Sequence, residues 1–221
     1  MPRSNPGVML HECAFQYRDR YPFLRERQGV WREIARYVLR ECPTTSTVVE
    51  LGAGYCDFIN AVDAPRRIAF DLNSDMAAHA APGVDFRVAD ATELPGLADE
   101  SVDLVFASNF LEHIPRRVAP TILDRVRRVL RPGGRFALIQ PNFRFCAPRY
   151  FDDETHVAIY SDESLGALLL DSGYEIVRIE PRFLPFSMKS RLPKWPVLVR
   201  LYLNSPVRPR AAQMFVVATP R

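Results

Sequence analysis

Thr47-Val48-Val49-Glu50-Leu51-Gly52-Ala53-Gly54-Tyr55-Cys56-Asp57 reads as a buried strand that ends in a carboxylate and runs into a glycine turn. Val48 and Val49 are β-branched and suit a strand covered on both faces. Gly52 and Gly54 let the backbone turn sharply and approach a ligand that a Cβ would push away. Glu50 falls at the carboxyl end of the strand, the edge at which open α/β sheets place their ligands. The stretch predicts a nucleotide-type crevice.

Two kinds of ligand compete for it. A dinucleotide fingerprint needs G-x-G-x-x-G, and its third glycine is here Asp57, a carboxylate facing what would be a pyrophosphate. A ligand with an adenosine, an amino acid and a positive charge, but no phosphate, tolerates acids at that place. S-adenosylmethionine is such a ligand. Short Gly-x-Gly turns are common, so the rest of the chain has to decide.

Composition sets the outer limits. The 221 residues are 48% hydrophobic and 25% charged, ordinary values for one domain with a full core. No apolar run reaches the roughly 18 to 20 residues that cross a bilayer, and Met1 to Leu10 does not read as a secretory signal. Cys13, Cys42, Cys56 and Cys146 are scattered without a C-x-x-C pair, so free thiols in a reducing cytoplasm are expected. A net charge of +3 does not by itself argue for nucleic acid.

Along the chain, residues 1 to about 25 are polar, aromatic and arginine-rich, and could close over a ligand. From Arg25 to Arg40, Val30, Trp31, Ile34, Ala35, Val38 and Leu39 recur at helical spacing. Pro43 is the expected stop, and Trp31 is expected in the core. Arg67 to Asn73 reads as a second strand, with Asp71 about twenty residues beyond the glycine turn, the distance at which a carboxylate meets an adenosine ribose. A helix from Ser74 to Ala81, capped by Ser74, should follow. Val84 to Asp90 alternates apolar and polar residues like a strand near a sheet edge, and Ser101 to Ser108 reads as a fourth strand. Pro115 opens a long helix that Arg131-Pro132-Gly133-Gly134 stops, and Arg135 to Asn142 reads as a fifth strand. Ser161 to Gly173 then supplies a helix, Glu175 to Phe183 a sixth strand and Gln213 to Thr219 a seventh.

Three strand ends bearing acids, with D-A-x-x-L-P at Asp90 to Pro95 and L-x-P-G-G at Leu130 to Gly134, resemble the class I S-adenosylmethionine-dependent methyltransferases over residues 47 to 142. The resemblance implies an α/β, Rossmann-like sheet of seven strands, mostly parallel, with helices on both faces and one antiparallel strand near the C-terminus. It implies one domain over 1–221. Residues 1–44 form a helical cap, 45–142 the cofactor core, and 143–221 the acceptor side. S-adenosylmethionine is the implied cofactor and S-adenosylhomocysteine its product. Gly52, Ala53 and Gly54 would lie under the methionine part, and Glu50 would orient the loop and the amino group. Asp71 would hold the ribose, Leu72 would pack on adenine, and Asp90 and Ala91 would read it. Asn109 would offer its backbone carbonyl to the ammonium. Cys56 departs from the third glycine of many relatives. Gly54 to Asn60, Ser108 to His113, Gln140 to Asn142, Arg182 to Phe186 and Gln213-Met214 also resemble bacterial methyltransferases found with polysaccharide and cell-envelope glycan genes.

Methyl transfer from a sulfonium needs a nucleophile in line at about 3 Å, and a hydroxyl acceptor needs a base. The candidates are His156, after the fifth strand, which could instead do structural or binding work in its loop, and His113, which could instead pack or cap. Asp152, Asp153 and Glu154 read as solvated loop acids, and no metal is expected. The expected partner is a small-molecule or glycan acceptor; the alternatives are a nucleic-acid methyltransferase of the same fold and a non-catalytic S-adenosylmethionine-binding protein. Residues 183–210 mix Pro185, Pro193, Pro196 and Pro206 with aromatic and basic residues. Such a stretch suits an anionic membrane surface or a lipid-linked glycan, although an excursion packed on the core or against a second copy is preferred.

Overall fold

The structure is a computed structural model that describes residues 24, 26–42, 45–185 and 195–221. The cap segment 1–23, Pro43 and the first part of the basic excursion lie outside the described residues.

The strands are β1 (Thr47–Leu51), β2 (Arg66–Asp71), β3 (Val84–Val88), β4 (Val102–Ser108), β5 (Leu130–Pro141), β6 (Tyr174–Glu180) and β7 (Gln213–Pro220). They form one sheet in the order β3-β2-β1-β4-β5-β7-β6. The first five pair in parallel, and β7 runs antiparallel to both β5 and β6. The described helices are α1 (Arg27–Val38), α2 (Ala119–Val129), α3 (Phe143–Tyr150), α4 (Asp162–Asp171) and α5 (Pro196–Asn204).

Period-two alternation distributes the strands' side chains between two cores. Val105 and Ala107 of β4 join Met214, Val216 and Ala218 of β7 under α2 and α4. Leu104 and Phe106 join Phe215 and Val217 on the opposite face, under α1 and Leu203 of α5. Trp31 belongs to this second core, edge-on to Phe106. The order β3-β2-β1-β4 reverses direction between β1 and β4, which opens a crevice at their carboxyl ends.

Several boundaries differ from the expected ones for local reasons. The first helix ends at Val38 and tightens into a 3₁₀ turn, Leu39–Glu41, before Cys42 becomes extended. The segment after β2 is 3₁₀ rather than α, and its cap is Asn73, not Ser74: the Asn73 side chain accepts from the Asp75 amide at 3.0 Å. Pro115 does not open α2; its carbonyl accepts from the Val118 amide in a turn, and the helix starts at Ala119. The Arg131–Gly134 turn lies within β5, between the pairs Val102–Leu130 and Leu104–Arg135. A Cβ on Gly134 would meet the Arg131 and Val102 carbonyl oxygens at 2.9 and 3.1 Å, so the loop closes only on glycine. Helix α3 was not expected; Asn142 caps it through the Arg144 amide. α5 also lies where only an irregular excursion was expected. It packs on α1 through an Arg200–Glu33 ion pair and leaves Trp195, Val197, Leu198 and Leu201 exposed.

Candidate active site

The glycine turn is held by its neighbours' side chains. Glu50, buried beneath it, accepts the Ile59 amide at 2.9 Å and so braces the segment beyond the turn. Asp71 accepts the Gly54 amide at 2.8 Å with one oxygen and the Asn73 amide at 2.8 Å with the other. Gly52 has φ +60, and a Cβ there would stand 2.7 Å from the Phe110 ring. Ala53 extends the β1–β2 ladder by donating to the Phe70 carbonyl. Cys56, in the place of the usual third glycine, takes φ 56 although it carries a side chain.

Asp57 does not face the crevice as an unpaired charge. Arg27 of α1 binds it at 2.8 and 2.7 Å, which ties the first helix to the turn. The electrostatic objection to a pyrophosphate is therefore weaker than the sequence alone implied. Burial raises the carboxyl groups of Glu50, Asp57 and Asp71 above their ordinary range, Glu50 furthest. The Ile59 amide, Arg27, and the Asn73 and Gly54 amides respectively oppose that rise. Burial likewise pushes the Cys56 thiol up, so it is an inert packing group.

The remaining cofactor candidates stand at adjacent strand ends. Leu72 follows β2 and is half-buried. Asp90 and Ala91 follow β3, and Asp90 Oδ1 accepts the Thr92 amide at 2.8 Å, which shapes its own turn. Asn109 follows β4 at φ 47, anchored by its amide to the Ile139 carbonyl and by its Oδ1 to Gln213 at 2.7 Å. The ends of β1, β2, β3 and β4 thus bring all nine candidates to one edge of the sheet.

The two histidine candidates, 43 positions apart in sequence, stand side by side, with ring centroids 4.9 Å apart. The Val157 and Ala158 amides both donate to the Glu112 carbonyl, which joins the His156 loop to the turn after β4. His156 is buried and its Nδ1 lies 2.6 Å from the Tyr150 carbonyl. His113 is half-buried, with Nδ1 3.2 Å from the Thr155 carbonyl and 3.0 Å from Thr155 Oγ1. Thr155 Oγ1 donates to Asp153 at 2.6 Å, so towards His113 it only accepts. Both imidazoles, facing acceptors through Nδ1, carry their proton there when neutral.

Glu112 completes this group and was not a candidate. Its Oε2 accepts from Gln140 Nε2 at 2.7 Å, while Oε1 is buried without a hydrogen-bond partner. His113 Nε2 lies 4.0 Å from that oxygen. Burial pushes the Glu112 carboxyl up to about 8, against a pull from backbone and Gln140 donors. Among the described residues, Glu112, His113 and His156 can bring one ligand atom each within 4.8 Å of one another; Asp152 and Glu154 do not join them. A polar Gln140 directly after the apolar run Phe136 to Ile139 was the available sequence signal for this buried group.

Residues 49–138 match the methyltransferase-domain family model. That match covers β1 through β5, the acid-bearing strand ends and the Pro-Gly-Gly turn. That stretch is a methyltransferase domain, and the chain as a whole shares the fold of S-adenosylmethionine-dependent methyltransferases. The malonyl-[acyl-carrier protein] O-methyltransferase of Methylococcus capsulatus is 32% identical over 161 residues, 64% of this chain and 56% of that protein. A S-adenosylmethionine-dependent methyltransferase from Archaeoglobus fulgidus shares the fold with a TM-score of 0.68 at 20% identity, covering 92% of this chain and 98% of that one. The Burkholderia thailandensis 1,6-didemethyltoxoflavin-N1-methyltransferase, solved with its acceptor and S-adenosylhomocysteine, has a TM-score of 0.67 at 19% identity over 100% of this chain and 92% of that one. The chain spans 22% to 56% of the length of the curated relatives it matches. Among the described residues, no helix is long and apolar enough to cross a membrane.

Proposed function

We propose that the protein transfers the methyl group of S-adenosylmethionine to a hydroxyl of a small-molecule or glycan-type acceptor. The observation that carries this reading is the placement of the acid-lined glycine turn and the Glu112–His113–His156 group at the same edge of the sheet. The crowded, buried acids Glu50 and Asp71 favour a ligand bearing cations, as a sulfonium with an ammonium does. Gly52, Ala53 and Gly54 take the methionine portion, while Glu50 steadies the loop and the amino group. Asp71 takes the ribose, each charge-assisted bond being worth on the order of 1.5 to 3 kcal/mol. Leu72, Asp90 and Ala91 take the adenine, and the Asn109 carbonyl meets the ammonium.

The acceptor's hydroxyl faces His113 and His156, where its proton is lost. The methyl is already activated, so placing the oxygen in line does most of the remaining work. The exposed apolar side of α5 adjoins α1, where Arg40 bonds Asn204 and Arg36 pairs with Glu33. That surface fits an acceptor presented on an anionic membrane face or as a lipid-linked glycan, and the free, buried Cys42, Cys56 and Cys146 agree with a cytoplasmic setting.

The test is S-adenosylhomocysteine release from S-adenosylmethionine with panels of sugars, lipid-linked glycans, phenols and oligonucleotides. Turnover with a hydroxyl acceptor that falls about 10²- to 10⁴-fold in His113→Ala and His156→Ala, with cofactor binding kept, supports the reading. Turnover with oligonucleotides alone, or undiminished in both variants, contradicts it.

A further inference from the structure

The trio Glu112, His113 and His156 combines features that proton transfer alone does not need. Each imidazole turns Nδ1 to a backbone carbonyl, at Tyr150 and at Thr155, so the neutral rings keep a lone pair on Nε2. Metal-binding histidines are oriented in this way, the second nitrogen donating to a carbonyl or carboxylate. The third member is a carboxylate oxygen, Glu112 Oε1, fully buried and without a hydrogen-bond partner. Leaving such an acceptor unmatched is costly unless something positive completes it. Its sister oxygen is held by Gln140 at 2.7 Å, and the Glu112 carbonyl is held by the Val157 and Ala158 amides, so the group is braced from both sides. Three lone-pair donors lie within 4.8 Å of one another.

We propose that Glu112, His113 and His156 bind a divalent transition-metal cation that holds the acceptor's oxygen. The proposal rests on the methyl-transfer reading of the crevice. Two imidazoles and one carboxylate suit zinc, manganese, cobalt or iron, whereas magnesium and calcium prefer sets of oxygen ligands. Three protein ligands leave coordination positions open, the pattern of catalytic rather than structural sites. Ligands at roughly 2.0–2.2 Å from one ion stand roughly 3–3.5 Å apart, so the trio contracts as the ion enters. Half-buried His113 is the member with room to move.

The cation lowers the pKa of a coordinated hydroxyl, as it does for bound water. The hydroxyl's proton passes to solvent. The coordinated oxygen attacks the methyl carbon, the carbon–sulfur bond breaks, and its electron pair stays on sulfur, turning the sulfonium into a neutral thioether. The cation's oxidation state does not change. Gln140 is then a positioning residue, acting on the ion through Glu112.

The test uses untagged, chelator-stripped full-length protein, titrated with Co²⁺ by visible absorption and with Zn²⁺ by competition. S-adenosylhomocysteine binding is measured on the same samples. The expected result is one saturable equivalent of Co²⁺, weakened more than about tenfold in Glu112→Gln, His156→Ala and His113→Asn, and about 10- to 100-fold in Gln140→Leu. S-adenosylhomocysteine affinity stays unchanged in His113→Asn, which keeps the comparison valid if a buried variant fails to fold. No saturable equivalent, or Co²⁺ binding undiminished in the folded variants, overturns the proposal while leaving the methyl-transfer reading intact. Failure of the parent protein to bind S-adenosylhomocysteine overturns the reading on which the proposal rests.

Discussion

Gly52 and Cys56 show what one residue decides at this turn. Both adopt left-handed backbone, one free of a side chain and one carrying it. Gly52→Ala forces a Cβ against Phe110 at a φ that costs a non-glycine residue about 1–2 kcal/mol. That variant is expected to melt several degrees lower and to bind S-adenosylhomocysteine at least tenfold more weakly, as thermal melts and titration calorimetry will report. The glycines and the acids at residues 50, 71 and 90 were legible because strand ends and turns mark themselves locally. Glu112 was not, because its role depends on a histidine 44 positions later that a loop brings beside it. Nor was the Arg27–Asp57 pair, since a helix's rotation about its axis decides which side chain meets the turn.

Elements that carry their own start signals were readable to within a few residues. Ser161 is one such signal: its side chain accepts the Ser164 amide at 3.2 Å, and Ser164 Oγ accepts the Ser161 amide at 2.9 Å. Ser161→Ala removes half of this capping box and is expected to cost about 1 kcal/mol in denaturant unfolding. α3 was missed because Pro148 and three aromatic residues hide its helical pattern, and α5 because prolines dominate its surroundings. The α1–α5 contact has a pH signature. The Arg200 hydrogen bond holds the Glu33 carboxyl down to about 2, with burial opposing and Arg36 assisting. A depressed folded pKa means that this stabilisation is complete above the ordinary value near 4.5 and is lost as pH falls through about 2. Chemical denaturation across pH 5 to 2 is expected to show a loss of stability that Glu33→Gln reduces.

For the whole molecule, the strand order and the mixed sheet came through because five parallel strands joined by crossovers and a terminal antiparallel pair leave few alternatives. The acceptor side stayed obscure because the His156 loop is held to the turn after β4, and α5 to α1, by long-range contacts that no short pattern encodes. If the crevice binds its cofactor product, ligand at about 100 times Kd adds about 2.7 kcal/mol to stability. For a chain of this size that raises Tm by about 5–11 °C. The most direct test is calorimetric titration with S-adenosylhomocysteine and with NAD, on the parent protein and on Asp71→Ala. Saturable binding of S-adenosylhomocysteine alone, about tenfold or more weaker in Asp71→Ala, is the predicted result. No binding of S-adenosylhomocysteine by folded protein, or binding of NAD in its place, would contradict the account.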